Sequence, residues 1–300
     1  MGVVNVTPDS FSDGGAWFEP AAAVAHGRAL VAGGADLLDV GGESTRPGAR
    51  RPGVDEELRR VLPVVEALAG DGIPVSVDTM RAQVAAAALD LGAAMVNDVS
   101  GGLADERMLP LVAARAVPYV AMHWRGHSVD MQVRAVYDDV VAQVCRELAA
   151  RRDAILAAGV SPGRLILDPG LGFAKTAEHN WALLADLGAL LALGHPVLVG
   201  ASRKAFLGRL GRGPQQTPRP PAERDAATAA TSVVCAAAGV WAVRVHEVVS
   251  TRRALEVLEA LARARAAGPR PATAGATPSA GTATGSRGPG SCGTGSESGA

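Results

Sequence analysis

The chain alternates eight times between a short aliphatic run and a longer Ala- and Leu-rich stretch of helical spacing, and this regularity narrows the folds open to it. The runs are Val3-Val4, residues 37–40, 74–77, 95–96, 119–122, 165–167, 197–199 and 241–245. Each is short, apolar and rich in β-branched or aliphatic residues, which reads as a buried strand. Between and after them, residues 20–32, 55–68, 81–91, 105–115, 134–158, 176–191, 222–238 and 247–266 carry helix-forming residues. Eight strand-then-helix units in roughly 250 residues predict a single-domain α/β fold, the (β/α)8 TIM barrel. The competitor is an open doubly wound sheet. Such a sheet usually carries a GxGxxG after its first strand and rarely reaches eight consecutive units. The first run begins almost at Met1, so the expectation is either a stunted first strand or a missing preceding segment.

Composition matters at the C-terminal end. Residues 268–300 hold nine Gly and four Pro and no Val, Ile, Leu, Met or aromatic residue. Too little apolar surface is available there to offset the entropy of ordering. The reading is a barrel domain over 1–267 followed by a disordered, low-complexity tail over 268–300. Lys and Arg number 29 against 30 Asp and Glu, and aromatic residues make up 3%. That balance excludes a basic nucleic-acid or membrane-surface binder, and the scarcity of rings excludes a base-stacking platform. Cys145, Cys235 and Cys292 are far apart and form no CxxC pair. With no basic leader and no apolar run of about 18 residues, the expectation is a cytoplasmic protein.

In a barrel of this kind the reactive groups sit at the C-terminal ends of the strands. The residues that end the eight runs are Asn5, Glu43 after a Gly-Gly turn, Asp78, Asn97, His123, Asp168, Ser202-Arg203-Lys204, and Arg244 with His246. Taken singly, Asp78 and Asp168 could cap helices, Asn97 could bond its own loop and His123 could be a satisfied core imidazole. Polar groups on all eight ends point to a lined site instead. Arg244 and His246, two apart on one run, share a face and suit an anion such as phosphate; an Arg244 paired with Glu43 is the structural alternative. The loops at 7–15 (TPDSFSDGG) and 41–53 (GGESTRPGARRPG) are long and Gly-rich, as mobile lids require.

These residues stand in motifs that resemble the dihydropteroate synthases, a family of pterin-binding barrels. The motifs are NVTPDSFSDGG from Asn5, DVGGESTRPG from Asp39, SVDT from Ser76, VNDVSGG from Val96, MHWRGHS from Met122, LDPGLGFAKT from Leu167, ASRKAFLG from Ala201 and RVHEV from Arg244. They occur in the family's order and span residues 1–265. The resemblance implies a transferase of folate biosynthesis that joins 6-hydroxymethyl-7,8-dihydropterin diphosphate to p-aminobenzoate and releases pyrophosphate. It further implies that Lys204, Asp168 and Arg244 are central to catalysis, with Asp168 gripping the pterin in a bidentate manner and Lys204 donating to its carbonyl side. Asp78, Asn97, Met122, Phe173 and Gly200 complete the pterin slot. Asn5, Arg244 and His246 would hold pyrophosphate, with Mg²⁺ bridging its oxygens to Asn5. Phe11, Thr45, Arg46 and Pro47, with Phe173 and Lys204, would form the p-aminobenzoate pocket, and the assembly would be a homodimer built on late helices.

One departure stands out. Ala205 follows Ser202-Arg203-Lys204 where many relatives have Ser. A hydroxyl contact to the p-aminobenzoate carboxylate is lost, which leaves backbone N–H groups at the following helix start to serve and bears on sulfonamides, which mimic that substrate. Two other functions are weighed against the synthase. A methyltetrahydrofolate-dependent methyltransferase barrel shares the Asp/Asn slot but has no need of the two loops, the Ser-Arg-Lys run or the Arg-x-His pair. A non-catalytic pterin-binding paralogue would not need the full polar ring.

Overall fold

A computed structural model describes residues 1–7, 20–43, 51–126, 133–213 and 215–267. The aliphatic runs become strands β1 (Gly2–Asn5), β2 (Leu38–Gly41), β3 (Val75–Asp78), β4 (Met95–Asp98), β5 (Tyr119–Met122), β6 (Leu165–Asp168), β7 (Leu198–Val199) and β8 (Ala242–Val243). The first six pair in chain order, all parallel, and β7 pairs with β8. Parallel bridges Leu167 to Val197 and Gly2 to Val245 join the two sets. At the second seam Val3 N–H donates to Val245 O at 3.0 Å and Val245 N–H to Met1 O at 3.0 Å. The sheet is therefore a closed ring of eight strands, which removes the open doubly wound sheet from consideration. β1 is as long as β2 to β6 and pairs with β2 over all four residues, so it is not stunted.

The outer layer comprises α1 (Pro20–Ala32), α2 (Val54–Gly70), α3 (Ala82–Asp90), α4 (Met108–Arg115), α5 (Val140–Ala157), α6 (Ala177–Ala185), α7 (Leu187–Leu191), α8 (Asp225–Ala237) and α9 (Val248–Ala266). Two expectations need correction. The helix expected over 176–191 is broken at Asp186, whose carboxylate accepts the Ala189 N–H at 3.1 Å and restarts the chain as α7. The helix expected from residue 134 begins at Val140, because the Asp139 side chain caps it by accepting the Ala142 N–H at 3.0 Å.

Period-two alternation divides each strand between two environments. One set, including Val4, Val40, Val77, Val96, Tyr119, Leu165, Leu167, Val197 and Val199, belongs to the main core packed with helix residues such as Val61, Leu68, Leu148 and Leu183. The other set faces the barrel axis. There Met95, Val120, Ile166 and Leu198 form a separate apolar cluster with Met1, Leu37 and Ala242 against it. Farther along the same strands the side chains turn polar. In register across adjacent strands lie Asn5, Gly41, Asp78 and Asn97. An apolar plug below and a polar layer above is the arrangement that sets a site at the C-terminal mouth. Ile166→Ala, which opens the plug, should cost about 2–5 kcal/mol of stability, read as a lowered midpoint in urea unfolding at unchanged slope.

Candidate active site

The polar layer opens into a cavity of about 540 Å³. Asn5, Asp39, Asp78, Phe173, Lys175, Gly200, Ser202, Lys204, Arg244 and His246 are among its lining residues. Asn97 ties the floor together, its amide donating to Asp39 Oδ2 at 2.9 Å and to Asp78 Oδ1 at 3.1 Å. Asn97 Oδ1 is buried and has no hydrogen-bond partner among the described residues. Such an orphaned acceptor is costly unless a ligand or water supplies a donor. Burial, and then the Asp39 carboxylate beside it, push Asp78 well above the usual carboxylate range. Burial raises Asp39 as well. Two adjacent buried carboxylates favour holding a proton or an N–H donor between them.

Arg244 is the counter-charge. Its guanidinium lies 3.5 Å from Asp39 Oδ2 and 3.3 Å from Asp168 Oδ2. Burial opposes its charge, but Asp168, Asp39 and Asp78 hold it protonated. Gly200 permits the approach, since a Cβ there would meet Arg244 Nη2 at 3.1 Å. Both Arg244 contacts are long, so its remaining N–H groups are free to share with an anion.

The opposite wall is built by two loops. After β6, Asp168 Oδ1 accepts the Gly170 N–H at 2.7 Å, and Gly172 at φ +78° passes so close to Lys204 that a Cβ would lie 2.9 Å from its Cδ. This brings the Phe173 ring under the Lys204 ammonium, Nζ 4.0 Å from the ring centroid. After β7, Arg203 adopts φ +59°, a left-handed conformation uncommon for a non-glycine residue. Asp225 holds it there through a bidentate pair at 2.7 and 2.8 Å. Thr228 Oγ1 accepts the Arg203 N–H at 3.2 Å.

Residues 1–246 match the pterin binding enzyme family. The dihydropteroate synthase of Mycobacterium leprae is 56% identical over 261 residues, covering 87% of this chain and 92% of that protein. The chain belongs to the dihydropteroate synthase family. Among solved structures it is similar to the Xanthomonas albilineans dihydropteroate synthase with 4-aminobenzoic acid, at TM-score 0.80 and 48% identity, covering 87% of this chain and 92% of that one. The same enzyme in complex with 7,8-dihydropteroate gives TM-score 0.77 and 45% identity with the same coverage.

Set against the family motifs, the structure gathers most of the expected residues. Asn5, Asp78, Phe173, Gly200, Lys204, Arg244 and His246 line the cavity. Asn97 lies beneath them, bonded to two of the lining carboxylates, and Met122 packs with Met80, Val99 and Phe173 in an apolar cluster. Asp168, 1% exposed, lies beside the cavity, its Oδ2 3.3 Å from Nη2 of the lining Arg244. Phe11, Thr45, Arg46 and Pro47 lie outside the described residues, as does the segment 268–300.

Two members of the expected polar ring face elsewhere. His123 is buried, with Nε2 2.9 Å from Glu147 Oε2 and Nδ1 3.0 Å from Lys175 Nζ. Burial, and then Lys175, lower its pKa to about 4, the behaviour of a neutral core imidazole. Glu43 pairs with Arg51 at 3.0 Å, and the structural alternative for Arg244 takes a different form, with Asp39 and Asp168 in place of Glu43. The helix start expected after Lys204 is a single 3-10 turn, Leu207–Arg209. The N–H groups of Leu207, Gly208 and Arg209 return to the carbonyls of Lys204, Ala205 and Phe206 at 3.1, 3.0 and 3.3 Å, so the backbone donors at the start of this turn are those of Ala205 and Phe206. Arg203, Arg209 and Arg224 line the cavity alongside Ala205.

Sequence reasoning missed Asp39 and Lys175. Asp39 was visible as a carboxylate inside an otherwise aliphatic run. For Lys175 the signal was compositional: of 29 Lys and Arg residues only Lys175 and Lys204 are lysines, and both line the cavity. An ammonium, unlike a guanidinium, changes protonation readily when buried. Burial lowers Lys175 to about 7. Burial, and then Arg244, lower Lys204 to about 8. With lysine labelled at ¹³Cε, the chain should give two NMR signals titrating near 7 and near 8. The lower one should disappear in Lys175→Arg and the upper one in Lys204→Arg.

Proposed function

We propose that the chain condenses 6-hydroxymethyl-7,8-dihydropterin diphosphate with p-aminobenzoate, releasing pyrophosphate and forming 7,8-dihydropteroate. The observation that carries this reading is the division of one cavity into a buried carboxylate and amide floor and a cationic wall. A pterin presents N–H donors on one edge and a carbonyl on another. Asp78, Asn97 and Asp168 are acceptors for the first, and the Lys204 ammonium is the donor for the second.

In the reaction the bond between the pterin methylene and the diphosphate oxygen breaks, the arylamine nitrogen bonds to that carbon, and the nitrogen gives up a proton. Charge grows on the departing pyrophosphate. Arg244 and His246 line the cavity where an anion can meet them, and preformed donors of this kind stabilise leaving-group charge without reorganising during the step. Phe173 and the stem of Lys204 supply an apolar wall for the arylamine ring. The arylamine carboxylate then faces the side bearing Arg203, Arg209 and Arg224 rather than a hydroxyl at position 205.

The residues fit Mg²⁺. Among the described residues no three His, Cys, Asp or Glu side chains form a metal cage, while Asn5 lines the cavity. One amide oxygen with phosphate oxygens and waters is a shell Mg²⁺ accepts. Bound there, Mg²⁺ would neutralise pyrophosphate charge. A homodimer is supported by the exposed Val234, Val249, Val257 and Leu261 on α8 and α9, with Trp241 between the helices. No helix among the described residues is long and apolar enough to cross a membrane.

Turnover with the pterin diphosphate, p-aminobenzoate and Mg²⁺, followed by pyrophosphate release, tests the assignment. Release at the enzyme-free rate from folded protein would defeat it. Lys204→Ala and Asp168→Asn should each lower kcat/KM at least about tenfold, in line with loss of a charge-assisted hydrogen bond. Wild-type rates in both would show that the pterin is placed wrongly. The Lys204 ammonium is present below a pKa of about 8 and lost above it. The kcat/KM for the pterin diphosphate should therefore be level below that value and fall as pH rises through it. In Lys204→Arg, whose cation does not titrate there, the descending limb should vanish.

A further inference from the structure

His246 is placed by a neighbour that controls which of its nitrogens carries the proton. Ser202 is buried, 5% exposed. Its Oγ accepts the His246 backbone N–H at 3.1 Å and stands 3.0 Å from His246 Nδ1. Among the described residues the Ser202 hydroxyl proton has no other acceptor within hydrogen-bond distance. If Nδ1 carried the ring proton, Oγ would face two donors and its own proton would be left buried and unpaired, which costs free energy. With Nδ1 unprotonated, one Ser202 oxygen satisfies both contacts at once.

We infer that Ser202 is a positioning residue that fixes His246 as the Nε2–H tautomer, so that a neutral imidazole presents its single N–H to the anion in the cavity. Three observations support this. Nε2 makes no hydrogen bond among the described residues, and His246 lines the cavity. Burial, and then Arg203 and Lys204, lower the His246 pKa to about 4, so near pH 7 the ring has one N–H and not two. Ser202 is itself immobilised, because the next residue, Arg203, is locked at φ +59° by its bidentate pair with Asp225. The role of the Nε2–H toward pyrophosphate rests on the function proposed above; the tautomer does not.

Nitrogen-15 NMR of the imidazoles in the full chain, with His246 assigned by its loss in His246→Phe, reads the tautomer directly. The expected result for the unmodified protein near pH 7 is a pyrrole-type Nε2 and a pyridine-type Nδ1. Ser202→Ala should yield a mixture of tautomers and weaken binding of inorganic pyrophosphate, measured by calorimetry with Mg²⁺, by roughly three- to tenfold, the size of one ordinary hydrogen bond. Ser202→Thr, which keeps the hydroxyl, should restore the single tautomer. A pyrrole-type Nδ1 in the unmodified protein would overturn the inference, and this reading needs no variant to fold. An unchanged Nε2–H tautomer in Ser202→Ala would overturn it too, whatever happens to pyrophosphate. The expected tautomers together with no affinity for pyrophosphate would leave Ser202 as the positioning residue and refute the anion role of His246.

Discussion

The mouth of the barrel is organised by one buried cation held among three carboxylates. Arg244 stands between Asp39 and Asp168, and Asn97 bridges Asp39 to Asp78. None of these groups tolerates isolation in the interior, because an unpaired buried charge is far more costly than a paired one. Arg244 and the carboxylates of Asp39 and Asp78 therefore depend on one another for their ionisation states. The elements that carry them must close around the cluster together, since Asp39 and Arg244 are 205 residues apart in sequence. Closure of β8 onto β1 is thus a requirement of the site as much as of the fold.

The same cluster explains why the site is poised for a ligand with both donors and anions. The carboxylates cannot be fully satisfied by one guanidinium at 3.3 and 3.5 Å, and the Asn97 oxygen is left without a partner. Across the cavity Lys204 is held at a depressed pKa, over the Phe173 ring and near Arg244. Its charge is favoured once an acceptor or an anion arrives. Complementarity is stored as incompletely satisfied polarity rather than as empty apolar volume.

Among the described residues three non-glycine residues have positive φ; Ala116 ends α4, and the other two stand next to this chemistry. Arg203 and Ala174 are left-handed at φ +59° and +48°, and each adjoins a lysine of the cavity. Asp225 and Thr228 over-determine the first; Lys175 Nζ, donating to Phe173 O at 3.2 Å, helps fix the loop containing the second. Such conformations persist only where surrounding contacts dictate them. They aim Lys204 and Phe173 at one another, an arrangement that two relaxed loops would not produce.

The sequence by itself determined the eightfold alternation, and hence the barrel, because hydrophobic period and segment length are local properties. It also determined the chemical types at most strand ends, Asn5, Asp78, Asn97, Asp168, Lys204 and Arg244, since a barrel places those ends at one mouth. Local pattern did not reveal the helix break at Asp186, where a capping carboxylate outcompeted helix continuation. Nor could it separate His123, which turns toward Glu147, from the residues that line the cavity, for one step along a strand or into a loop reverses the side a residue faces. Only the tertiary structure brought Asp39 to Arg244 and Ser202 to His246. Those pairings follow from strand register and ring closure, which depend on how all eight strands pack around the axial plug and are written in no single segment.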